Sequence, residues 1–192
     1  MKSLNKLLNG SRAFTTEEAN ALGLSNERLS LLTKQKKIEK VDYGVYLPIN
    51  AYKDDMYSLQ MRREFVYSHE TALYLHDLTD RDPLNYVCTV KRGYNSHKLK
   101  EAGFEIFYVK KEHYSIDTVD IETVFGNIVK TYSMERTLCD ILRSESRMDK
   151  EIIIKAFKMY SNRKDKDLHC LNDLAQLFRI SQKVRTFLEI LL

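Results

Sequence analysis

The sequence predicts an α+β protein, in which an N-terminal winged helix-turn-helix precedes a mixed α/β domain with a helical C-terminal tail. Helix and hairpin patterns fill the first fifty residues, strands and helices alternate in the middle, and amphipathic stripes occupy the end. The best candidate boundary is the segment 47–50, because Pro48 cannot donate to a strand ladder. We therefore expect domains at residues 1–50 and 51–192.

Two short helices are predicted first. Thr15 and Glu18 match a capping box, so a helix is expected over about 16–22. Gly23 follows and supplies the positive φ that a helix-ending turn requires. Before the helix over 16–22, the spacing of Leu4, Leu7 and Leu8 predicts one face of another short helix.

A third helix and a hairpin complete this segment. Ser25 is a favoured N-cap for a helix that reaches about Gln35, with Leu29 and Leu32 facing inward. Two short strands are expected at 38–41 and 45–47, and the turn 42–44 between them contains a glycine, which predicts a hairpin.

The longer helix has the features of a base-reading element. A short helix, a turn with glycine and a polar-faced helix follow the helix-turn-helix plan, whose second helix enters the major groove. Arginine pairs with guanine and asparagine with adenine. The candidate DNA-binding residues on this helix are Ser25, Asn26, Arg28, Ser30, Thr33 and Lys34.

Four further candidates follow the helix. Lys36, Lys37 and Lys40 are spaced for contacts with phosphates, which position a protein without specifying a sequence. Tyr43 would lie at the tip of the wing, within reach of the DNA backbone or the minor groove.

Charge is unevenly distributed in this chain of net charge +4. Residues 1–50 contain eight Lys or Arg and five Asp or Glu, whereas residues 51–192 contain 23 and 22. Basic side chains beside phosphates release counterions and drive attraction to DNA. A solvated basic face and a plain three-helix interaction module are the alternatives that the pattern leaves open.

Several segments together carry a resemblance to a known family. The segments 16–25, 36–41 and 44–46 are similar to the helix-turn-helix and wing of the AbiEi-type antitoxins of abortive-infection systems. The segments 68–79 and 135–143 resemble two later motifs of that family, and their order and spacing fit. The resemblance covers about residues 5–160, with one departure at Asp77, where many relatives carry glycine.

The resemblance implies a function. Such proteins are type IV antitoxins that bind inverted repeats in their own promoter and repress their operon. They counteract a nucleotidyltransferase-like toxin without forming a stable complex, and this antitoxic role is assigned to the C-terminal domain.

The second domain is predicted to mix strands and helices. A helix is expected over 52–64, and strands over 65–67, 86–90 and 104–109. Gly126-Asn127 predicts a two-residue hairpin loop. Ser133 is expected to cap the next helix, and buried stripes are predicted at Ile153, Ala156, Phe157 and Tyr160 and at Val184, Phe187, Leu188 and Leu191.

The sequence offers no convincing catalytic, metal or cofactor site. His69-Glu70 lacks the second histidine of a zinc helix, since position 73 is Leu73. Arg136 and Asp140 have the spacing of a helical ion pair. No Gly-rich phosphate loop or G-x-S-x-G is present, and we expect buried, unpaired thiols at Cys88, Cys139 and Cys170.

Two basic groups in this domain leave alternatives open. One lies within 143–166, and the other comprises Lys91, Arg92, Lys98, Lys100, Lys110 and Lys111. Solvated faces are the default, and a second surface for DNA or toxin is the sharper hypothesis. A ligand-sensing regulator and a nuclease are the alternative functions. Without an apolar run or a signal peptide, the protein is expected in the cytoplasm.

Overall fold

A computed structural model describes the backbone of residues 7–191 and the side chains of residues 7–189. Within these residues the fold is mixed α+β, with ten helices and two sheets, so the predicted fold class is confirmed at that level. Two compact units are present. The N-terminal unit runs to Glu64 and includes Glu122–Val129, and the C-terminal unit contains Phe65–Ile121 and the chain from Lys130 onward.

The N-terminal unit combines short helices with a small antiparallel sheet. Its strands are ordered β1-β3-β2. Leu7 and Leu8 are helical, whereas Leu4 of the predicted first helix lies outside the described residues. The elements are β1 (Phe14–Thr15), α1 (Thr16–Ala21), α2 (Asn26–Lys34), β2 (Ile38–Asp42), β3 (Val45–Pro48) and α3 (Asp55–Gln60).

The predicted capping box starts α1. The backbone N–H of Glu18 donates to Thr15 Oγ1 at 3.1 Å, and the N–H of Thr15 donates to Glu18 Oε2 at 2.8 Å. Gly23 follows the helix with φ +83°, which a residue with a Cβ adopts only with strain. These local signals are confirmed, and they place Leu24 in a core with Phe14, Leu29 and Ile38.

Helix α3 is shorter than the predicted helix over 52–64. It begins after Asp54, because Asp54 Oδ1 accepts the N–H of Tyr57 at 3.1 Å and so acts as the N-cap. It ends at Gln60, and Arg63 beyond it donates to the carbonyl oxygen of Leu59 at 3.1 Å.

The N-terminal unit extends beyond the boundary that the sequence indicated near residue 50. The reason is a second apolar cluster, in which residues after Pro48 pack on the hairpin. Ala51, Tyr57 and Met61 pack there against Val45 and Leu47.

From Val66 onward the chain forms a five-stranded mixed sheet covered by helices, with strand order β6-β5-β4-β8-β7. Strands β5 and β6 are parallel, and β4 is antiparallel to β5. The elements are β4 (Val66–Tyr67), α4 (His69–Leu75), β5 (Val87–Lys91), α5 (His97–Glu101), β6 (Glu105–Val109), α6 (Lys111–Tyr114), β7 (Thr118–Glu122), β8 (Ile128–Tyr132), α7 (Met134–Arg143), a 3-10 helix (Glu145–Arg147), α8 (Lys150–Ser161), α9 (Leu168–Leu177) and α10 (Ser181–Leu191).

The β7–β8 hairpin corrects the prediction of a two-residue loop at Gly126-Asn127. The strands end at Glu122 and begin again at Ile128, so the loop has five residues. Its two ends are fixed by buried hydrogen bonds within the N-terminal unit: Asp54 Oδ2 accepts from Thr123 Oγ1 at 2.6 Å and from Asn127 Nδ2 at 2.9 Å. Satisfying this buried carboxylate takes both side chains out of the strands.

The helical end matches its predicted stripes. Ile153, Ala156, Phe157 and Tyr160 are buried, as is Val184. Phe187 and Leu188 pack partly against the same core, and the side chain of Leu191 lies outside the described residues. Between Leu7 and Leu191, every helix falls short of the length and apolar character that crossing a membrane requires.

Candidate nucleic-acid interface

Helix α2 presents one buried side and one exposed side. It begins at Asn26 because Ser25, in an extended conformation, accepts the N–H of Arg28 on its hydroxyl oxygen at 3.3 Å. Leu29 and Leu32 are fully buried. The rest of the helix, apart from the half-buried Thr33, is exposed.

Nine of the ten predicted contact residues are exposed on this unit. Arg28 and Lys34 lie on α2, and Lys40 and Tyr43 lie on the hairpin, where Lys40 Nζ is 5.6 Å from the centre of the Tyr43 ring. The exposed residues are Ser25, Asn26, Arg28, Ser30, Lys34, Lys36, Lys37, Lys40 and Tyr43.

Thr33 is the exception. The prediction placed it on the exposed face, but it is half-buried and its hydroxyl donates to the carbonyl oxygen of Leu29 at 2.9 Å. Ser25 is exposed but already engaged, since its hydroxyl caps α2 and also bonds Glu27, which lowers the pKa of that carboxyl group. Both hydroxyl groups therefore have partners inside the protein.

The cations of the N-terminal unit fall into two classes. Away from α2, each described cation has an acidic partner: Arg12 pairs with Glu18, Lys53 with Asp55, Arg62 with Glu17 and Arg63 with Asp42. Along α2 and the segment after it, five cations form no ion pair within the described residues. They are Arg28, Lys34, Lys36, Lys37 and Lys40.

Lys36 carries its charge on a strained backbone. It ends α2 with φ +54°, and the N–H groups of Lys36 and Lys37 donate to the carbonyls of Thr33 and Leu32, both at 3.0 Å. This helix-ending motif favours glycine at the position of Lys36. A cation is thus held in a conformation that costs about 1–2 kcal/mol in a residue with a Cβ.

The hairpin tip is tied to α1. The carbonyl oxygen of Gly44, which has φ +66°, accepts the N–H of Thr16 at 2.9 Å. A Cβ at Gly44 would lie 3.1 Å from Thr16 Oγ1, so the close approach favours glycine here. The neighbouring Asp42 is neutralised by Arg63 and also accepts the N–H of Tyr43 at 2.7 Å. Tyr43 itself is 72% exposed.

The exposed side of α2 also contains residues that the sequence prediction omitted. Glu27, Leu31 and Gln35 are exposed, and Leu31 lies three residues after Arg28 and three before Lys34. Residues three apart on a helix are neighbours on its surface, so this spacing could have included Leu31 among the candidates.

Some of the basic residues of the C-terminal unit lie together at one end of the sheet. Lys91 lies opposite Val109 in the parallel pair β5–β6, and the N–H of Arg92 donates to the carbonyl oxygen of Val109 at 2.9 Å. Lys110 and Lys111 follow Val109, so they lie close to Lys91 and Arg92 in the chain's fold.

The thiols of the described chain are free. Cys88 and Cys139 are buried, which raises the pKa of each to about 12. Cys170 on α9 is only half-buried, contrary to the expectation, and its thiol lies 3.7 Å from Asp117 Oδ2. No group of three or more metal-binding side chains occurs among residues 7–189.

Comparison with known proteins gives a likeness of fold. No protein-family model matches the chain, and no curated protein matches it. The crystal structure of the RV2827C protein from Mycobacterium tuberculosis is similar, with a TM-score of 0.57 at 10% sequence identity. The alignment covers 92% of this chain and 72% of that one. The two proteins therefore share a fold.

Proposed function

We propose that the protein is a DNA-binding autorepressor and antitoxin of a toxin–antitoxin operon of the abortive-infection type. The observation that carries DNA binding is the division of cations in the N-terminal unit. Those on α2 and just after it are exposed and unpaired, whereas those elsewhere in the described unit are neutralised by carboxylates. Unpaired cations on one stretch of surface are what a phosphate backbone requires.

In this proposal α1, the turn at Gly23 and α2 act as a helix-turn-helix, and β2–β3 acts as its wing. Asn26, Arg28 and Ser30 near the start of α2 read base edges, as the first residues of recognition helices do. Lys36, Lys37 and Lys40 hold phosphates. Their exposure and their position after the helix support this role. The capped start of α2 and its buried leucines give the reading side chains a rigid base.

The antitoxin role rests on the resemblance of segments 68–79 and 135–143 to AbiEi motifs. It includes a nucleotidyltransferase-like toxin as functional partner, inverted repeats as operator, no enzymatic activity of its own and a cytoplasmic location. The basic residues after β5 and β6 are candidates for a second contact with DNA or toxin. A toxin gene next to this one would favour the antitoxin over an ordinary ligand-sensing regulator.

A gel shift with the DNA upstream of the gene tests the proposal. We expect that fragment to be bound in preference to random duplex of the same length. Each phosphate contact contributes a slope of about −0.9 in log affinity against log salt, so the three contacts of Lys36, Lys37 and Lys40 give about −3. Equal affinity for both duplexes at moderate salt would contradict specific repression. Cleavage of the DNA with a divalent metal would instead support a nuclease.

A further inference from the structure

An apolar side chain lies on the otherwise polar exposed side of α2. Leu31 is 41% exposed, although Leu29 and Leu32 on either side of it in sequence are buried in the core. Leu31 is outside that core cluster. Exposed leucines are common singly, so what matters is the place of this one.

The surroundings of Leu31 specify its partner's chemistry. Arg28 and Lys34 lie three residues before and after it, both exposed and both without an ion pair in the described chain. Glu27 lies four residues before Leu31, and its carboxylate bonds the hydroxyl of Ser25. With two cations and one carboxylate the strip keeps a net positive charge, so it suits an anionic partner that also offers a small apolar spot. Among the base edges of the major groove, the C5 methyl group of thymine is the apolar feature.

We propose that Leu31 is a specificity-determining residue that contacts the C5 methyl group of a thymine in each operator half-site. This inference rests on the proposed function, because it takes α2 as the recognition helix. It adds a requirement that the polar candidates do not make. Arg28 and Asn26 select bases by hydrogen bonds, whereas Leu31 selects thymine by removing its methyl group from water.

Replacing single thymines of the upstream fragment by deoxyuridine removes only that methyl group. Burying one such group is worth about a fourfold change in affinity. For the wild-type protein, we expect this replacement at one thymine position in each half-site to lower the affinity about fourfold. With Leu31→Ala, the same replacement should have no effect, because the methyl group has lost its partner.

Leu22→Ala is the matched control, since Leu22 is 43% exposed but lies at the end of α1. It should keep the full response to deoxyuridine. Leu31→Gln preserves the length of the side chain without its apolar end, and circular dichroism checks that each variant is folded.

The outcomes separate two failures. Suppose that the wild-type protein prefers its operator, but that deoxyuridine at each thymine position changes the affinity of the wild-type protein and of Leu31→Ala equally. The assignment of Leu31 is then wrong, and DNA binding stands. A loss of the response with Leu22→Ala as well would also overturn it. If the wild-type protein has no preference for the operator, the proposed function fails, and this inference fails with it.

Discussion

Two helices of this chain begin with the same local sequence pattern, Ser-x-Glu-Arg. In α2 it is formed by residues 25–28, and in α7 by residues 133–136. Both serines accept the N–H of the arginine three positions on, Ser25 at 3.3 Å and Ser133 at 3.0 Å. The two helices thus start by the same mechanism.

Their arginines have opposite surroundings. Arg28 is exposed, and its guanidinium has no partner among the described residues. The side chain of Arg136 is 0% exposed and lies between the rings of Tyr132 and Phe178, with 4.3 Å from its central carbon to each ring centre. It donates from Nε to Asp140 at 2.9 Å, which confirms the ion pair expected from the sequence.

This contrast separates the roles of the two helices. Helix α7 is surrounded by α4, α8 and α9, so even its charged residues are used in packing. Helix α2 buries only two leucines and leaves charge in solvent, without an internal role. A charge that has no structural partner is the better candidate for binding.

The largest expected effect is on stability and comes from Arg136→Ala. It leaves Asp140, whose side chain is 3% exposed, with one of its two arginine partners. Removing one partner of a buried pair destabilises by about 3–5 kcal/mol. Urea unfolding followed by circular dichroism measures this loss of unfolding free energy. Arg28→Ala is the matched control, for which we expect a loss of less than about 0.5 kcal/mol. Equal losses in both variants would remove the distinction between the two helices.

A second buried group of the C-terminal unit gives a pH dependence. Burial lowers the pKa of His69 from 6.5 to about 4, because the ring lies between Ser68 and Ser144 and stacks on Phe107. The unfolded chain therefore takes up a proton between pH 6.5 and 4 that the folded chain excludes. The contribution of His69 to the free energy of unfolding is therefore complete above pH 6.5, and it is lost as the pH falls to about 4.

This loss should be about 3 kcal/mol over that pH range. It is measured as the difference in unfolding free energy between the wild-type protein and His69→Asn, from urea titrations at several pH values. A difference that does not change with pH would show that the histidine does not titrate as its burial requires.

On the exposed helix, Arg28→Ala should affect binding and not stability. Loss of a good base contact lowers operator affinity by about 1–3 kcal/mol. Affinity for random duplex should fall much less, so the specificity ratio falls. Gel-shift titration on both duplexes measures this, and unchanged operator affinity would show that α2 does not read bases through Arg28.

The smallest effect is expected from Lys36→Ala. The loss of one phosphate contact weakens binding to every sequence and flattens the slope of log affinity against log salt by about 1. Lys53→Ala is the control, because it also removes one charge from this unit but from a pair with Asp55. A salt slope altered equally by both variants would indicate a response to net charge alone.

Short-range elements of the fold could be predicted from the sequence. The capping box at Thr15, the turn at Gly23, the cap at Ser25 and the end of β3 at Pro48 depend on residues within four positions of one another. What could not be predicted depended on distant partners. The loop 123–127 is set by Asp54, about seventy residues away in sequence, and this carboxylate also fixes the start of α3.

The candidate site divides in the same way. The sequence identified the cations of α2 and the hairpin, because residue type and spacing are local properties. It placed Thr33 on the wrong side and omitted Leu31, since both positions depend on which side of the helix packs against the core.

Hydrogen bonds that close over a few residues are encoded locally, and for this reason the sequence alone predicted the starts of α1 and α2. Which of the two Ser-x-Glu-Arg helices keeps its arginine in solvent depends instead on long-range packing. Arg136 is buried because Phe178 and the carbonyl groups of His113 and Ile116 reach it from other parts of the chain. Burial is a property of distant segments that meet, and no four-residue pattern encodes it.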